Sequence, residues 1–92
     1  MLFRSAGASR EKVFALAEVR FSTGNLTGAE DLFKRAAGMD PAWLRPRLRL
    51  GLVALRRGNP ASAAEIFKAV VAASGGGPEG AEAERYLAEI KP

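Results

Sequence analysis

The sequence predicts an all-α protein in which short antiparallel helix pairs stack side by side. Three observations carry that expectation. Apolar residues recur at three-and-four spacing through most of the 92 residues, and no segment alternates as a strand does. Glycine, asparagine and proline interrupt the pattern at short intervals. The stretch GNLTGAEDLFKRA, beginning at Gly24, returns as GNPASAAEIFKAV, beginning at Gly58, 34 residues later.

Five helical segments are expected. The first covers residues 10–23, with Ser9 as its N-cap. Val13, Leu16, Ala17 and Arg20 share one face, and Phe14, Glu18 and Phe21 another. After Gly24-Asn25, Thr27 with Glu30 three residues on reads as a capping box. The second helix then turns Ala29, Leu32, Phe33 and Ala36 inward, and Gly38 reads as its stop. Pro46 would clash with the carbonyl four residues back if it lay deep in a helix. The third helix is therefore expected to start near Leu44 or Arg45 and to run to about Arg57. Asn59 caps the fourth helix and Pro60 takes its first position, with Ala63, Ile66, Phe67 and Val70 on the inner face. A Ser74-Gly75-Gly76-Gly77-Pro78 connector leads to the last helix, residues 79–90. There Ala83, Leu87 and Ile90 form one stripe, with Tyr86 beside them and glutamates outside.

Composition narrows the chemistry. The chain has no cysteine and no histidine, so disulfides, zinc–cysteine sites and the common nucleophile pairs are absent. No cofactor or metal is expected. Gly75-Gly76-Gly77 lacks the Lys-Ser/Thr that a phosphate loop needs, and Glu82, Glu84 and Glu89 lie on a polar helix face without a cleft. An enzyme is not expected. Net charge is +4. The absence of a membrane-span-length apolar run and of a secretory signal makes a soluble, cytoplasmic protein the expectation, or a periplasmic one if a signal is missing upstream. Leu2-Phe3-Arg4-Ser5 can be encoded CTC-TTC-CGA-TCT, which resembles the end of a common sequencing adapter. On that reading residues 1–5 are an artefact, the natural chain extends upstream, and residues 1–9 stand apart from the fold.

The 34-residue interval also separates Leu16 from Leu50, Asn25 from Asn59, Ala29 from Ala63, Phe33 from Phe67 and Lys34 from Lys68. A helix pair at that period resembles the tetratricopeptide repeat. The resemblance implies a right-handed α-solenoid with repeats at residues 10–43 and 44–77 and a capping helix at 78–92. In that fold Ala29 and Ala63 sit where paired helices cross, Phe33 and Phe67 fill between layers, and Gly51 allows a close approach that Ala17 repeats. Trp43, at the repeat junction, is expected to pack. There are departures: Val13 and Arg47 stand where the family often has a large aromatic, and the second repeat ends in Ser74-Gly75 instead of Asp-Pro.

The resemblance implies protein–protein interaction through a concave groove lined by the first helix of each pair. The groove residues would be Glu11, Phe14, Ala15, Glu18, Phe21 and Ser22, then Arg45, Leu48, Arg49, Leu52, Leu55 and Arg56. Arg45, Arg49, Leu52 and Arg56 form one stripe, suited to an extended or helical peptide with apolar side chains and a carboxylate. Arg45 and Arg49 match two basic positions of the family's carboxylate clamp. Ala15 stands where its asparagine belongs, so the clamp is incomplete. Arg47 and Arg57 read as solvated, and Lys34 and Lys68 as flanking the outer face. One alternative is a structural segment of a longer array, or a self-associating oligomer in which exposed Phe3, Phe14 and Phe21 are covered. Another is an anionic ligand or nucleic acid held by residues 45–57, which contain five arginines and no acid.

Overall fold

The computed structural model describes residues 9–90, so the expectations for Phe3 and residues 1–5 lie outside the described residues. Those described hold five α-helices and no strand: α1 (Arg10–Ser22), α2 (Leu26–Met39), α3 (Arg45–Arg56), α4 (Pro60–Ser74) and α5 (Pro78–Glu89). Each helix packs on the next in sequence, and α5 also touches α3. The result is an elongated all-α slab of stacked helix pairs, 51 × 30 × 15 Å, as expected. Each layer buries its apolar face on its neighbours, which a chain this short does more readily than it builds one large core.

Local signals explain most boundaries. The Ser9 hydroxyl accepts from the Lys12 amide at 3.2 Å and starts α1. Gly24 and Gly58 turn the chain at φ 88° and 79°, a region that side chains resist. Pro46 lies in the first turn of α3 and Pro60 opens α4, where a missing amide costs nothing. Three expectations need correction. Asn25, not Thr27, caps α2, its side chain accepting from the Gly28 amide at 3.0 Å. Thr27 lies one residue inside the first turn, past the cap position, and its hydroxyl accepts from Arg57 at 3.0 Å. Asn59 holds the cap position of α4 but makes no side-chain cap bond. Gly38 does not stop α2, which continues to Met39.

Two core clusters alternate along the slab. Ala17, Ala29, Phe33 and Val53 bind α1, α2 and α3. Leu48, Ala63, Phe67, Val70 and Ala83 bind α3, α4 and α5. Ala29 and Ala63 are fully buried, as are Phe33 and Phe67. Helix α3 contributes to both clusters, Val53 to one and Leu48 to the other. It therefore has little freedom in how it presents its remaining faces.

Candidate partner-binding face

Helices α1, α3 and α5 are the first members of successive pairs, and polar contacts tie them together along one side of the slab. Arg49 Nε donates to Glu18 Oε2 at 3.0 Å, joining α3 to α1. Arg45 Nη2 lies 3.5 Å from Glu79 Oε2 and 3.9 Å from Glu82 Oε1, joining α3 to α5. These pairs are partly exposed, so each is worth at most about 1 kcal/mol. Their larger consequence is electrostatic: two of the stripe's three arginines already have carboxylates.

The third, Arg56, forms no ion pair among the described residues. Its guanidinium lies over the Phe21 ring, 4.7 Å from the centroid, a cation–π contact. Phe21, Leu52, Leu55 and Arg56 line an open depression of about 330 Å³ at this end of the face. Its walls come from α1 and α3, and its apolar surface carries one cation at the lip.

The remaining expected groove residues distribute unevenly. Leu48 is a correction: it is fully buried in the α3–α4–α5 core and offers nothing to a ligand. It lies one residue from Arg49, about 100° round the helix, and that rotation carries it inside. Phe14 is also turned inward. Its ring centroid lies 5.4 Å from that of Phe33 and 5.0 Å from that of Trp43. It packs the layer instead of standing exposed, and Trp43 packs as expected. Ala15 and Ser22 are exposed on α1 without a part in the depression. Glu11 is exposed, and its bond from Arg10 holds its carboxyl below the usual carboxylate range.

Residues 45–57 do not form one basic surface. Arg45 and Arg49 turn to the face just described, while Arg57 turns to α2 and lies 3.2 Å from Glu30. Arg57 is thus partnered, not merely solvated. The acids missing from the stretch itself arrive from Glu18, Glu30, Glu79 and Glu82. Glu79 and Glu82 are a second correction, because they face α3 and do not lie outside. One signal for them existed: Arg45 and Glu79 are 34 residues apart, the same interval as the repeat.

Among the described residues no helix is long and apolar enough to cross a membrane. No cluster of three or more acidic side chains is placed to hold a metal. Residues 48–90 match the family model for the tetratricopeptide repeat. The match takes in α4, α5 and most of α3, and it supports a general role as a protein-interaction scaffold, since such repeats are in general non-catalytic interaction modules. No curated protein and no solved structure gives a significant match.

Proposed function

We propose that the chain binds a peptide or partner helix along the α1–α3–α5 face, with the Phe21–Leu52–Leu55 depression as its anchor point. The carrying observation is the open apolar depression with Arg56 at its lip. An apolar side chain would fill the depression and a nearby carboxylate would meet Arg56 in a charge-assisted bond. Arg45 and Arg49 act differently from the sequence expectation. They hold neighbouring helices in register and leave Arg56 as the recognition cation. Glu18 belongs to the same framework.

The test is selection of peptides from a displayed library on the folded protein, followed by titration of the winners. Binding at least tenfold weaker to Leu55→Glu, with Trp43 emission unchanged, supports the reading. Equal affinity for that variant removes the depression from the binding site.

A second reading, association with another copy or with further repeats, is favoured by the edge of the slab. Leu16 and Val19 on α1 are 43% and 54% exposed. A concentration-dependent dimer in light scattering, abolished by Val19→Glu, would support it. A monomer at millimolar concentration would remove it.

A further inference from the structure

The other side of α3 carries a second, opposite stripe. Arg47, Leu50, Ala54 and Arg57 recur at spacings of three, four and three. They lie on the side away from Arg45 and Arg49, since two residues turn a helix by about 200°. Helices α2 and α4 each pack on α3 but not substantially on each other. Between them runs a trough. One half is lined by Lys34, Ala37, Arg47, Leu50, Ile66 and Ala69, the other by Glu30, Val53, Ala54, Arg57, Asn59 and Ser62. The halves share Lys34, Leu50 and Ile66, so they form one continuous channel over α3. From Arg47 to Arg57 it is about 15 Å long, or three helical turns.

We propose that this trough is a second docking site, which takes an acidic amphipathic helix from a partner protein. The occupant follows from charge and shape. The lining has three cations, Lys34, Arg47 and Arg57, against one carboxylate, Glu30. Glu30 already answers both Lys34 at 3.4 Å and Arg57 at 3.2 Å. Arg47 has no carboxylate among the described residues. The trough therefore has a net positive rim, with an unanswered guanidinium at one end. Its floor is apolar, from Leu50, Val53 and Ala54, and Ile66 and Ala37 supply apolar walls. A helix with apolar residues three and four apart would lay them over Leu50 and Ile66. Glutamates on its flank would meet Arg47 and compete for Lys34 and Arg57. A nucleic-acid backbone would use the cations but leave the apolar floor unfilled. The site is independent of the depression at Phe21, with which it shares no lining residue.

The experiment is an amide-shift titration of the isotope-labelled protein with a synthetic 14-residue helical peptide. The peptide carries leucines at three-and-four spacing and glutamates beside them. Expected shifts fall on Ala37, Leu50, Ile66 and Ala69. Affinity falls at least tenfold in Arg47→Glu and measurably in the milder Arg47→Gln, and it weakens with added salt. Peptides with serine for leucine, or lysine for glutamate, bind at least tenfold more weakly. Arg85→Gln, exposed on α5 and lining neither site, binds as wild type. Shifts confined to Phe21, Leu52 and Leu55 would overturn the assignment, as would no binding at millimolar peptide. So would a single-stranded oligonucleotide that moves the trough residues at lower concentration than the peptide.

Discussion

The ring of Phe67 on α4 lies directly against the backbone of Gly51 on α3. A methyl group at residue 51 would overlap that ring. Gly51 and Phe67 are both buried, so neither has room to withdraw. Glycine in a helix costs up to about 1 kcal/mol relative to alanine. Here that cost is exceeded by the gain of letting the two helices meet.

Gly51→Ala is therefore expected to destabilise the protein by about 1–3 kcal/mol, the usual range for overpacking. In a domain of this size that lowers the melting temperature by roughly 4–8 °C per kcal/mol. Gly38→Ala is the control. Nothing lies within 4 Å of an added methyl there, and the change should raise stability by about 0.5–1 kcal/mol. Thermal melts of both variants check the pair, and a stabilised Gly51→Ala would contradict the close approach.

The two inter-helix glycines make a different demand. Gly24 and Gly58 have open space around them but positive φ. Alanine at either position should cost about 1–2 kcal/mol through backbone strain alone. Urea unfolding measures this, and the midpoint should move while the slope stays constant.

Leu48 and Leu55 separate folding from recognition. Leu48→Ala opens a cavity in the α3–α4–α5 core and should cost about 2–5 kcal/mol. Leu55 is only half-buried, at the mouth of the depression, and Leu55→Ala should cost less than half as much. Peptide affinity should follow the reverse order once corrected for the folded fraction. If Leu48→Ala weakened binding more than Leu55→Ala in fully folded samples, the placement of Leu48 would be in error.

Glu18 sets the charge available on the α1–α3–α5 face. Glu18→Gln removes the partner of Arg49 and should change stability by no more than about 1 kcal/mol. It should also tighten binding of a carboxylate-bearing peptide and steepen its salt dependence, because Arg49 is then free. Calorimetric titration at two salt concentrations reads both effects. Weaker binding in Glu18→Gln would show that Glu18 itself touches the ligand.

Much of the fold is legible in the sequence. The recurrence of Gly24, Ala29 and Phe33 at Gly58, Ala63 and Phe67 reports a repeated steric problem with a repeated solution. Proline and glycine placed the breaks, because their backbone preferences act locally. The cap of α2 is not legible in the sequence, because Asn25 and Thr27 both have capping side chains and only the turn geometry selects between them. The candidate site was far less legible. Helical spacing located the stripes on α3 but not which neighbour each stripe would meet.

By itself, the sequence determined that this chain forms stacked helix pairs with small residues at the crossings, since periodicity, turn residues and volume are local properties. Only the tertiary structure decided the fate of each charge and each leucine. Arg49 is neutralised by a residue 31 positions away, Arg56 is not, and Arg47 opens onto the other side. The reason is physical: an ion pair or a buried contact depends on distances between helices, and those are set by how the faces nest.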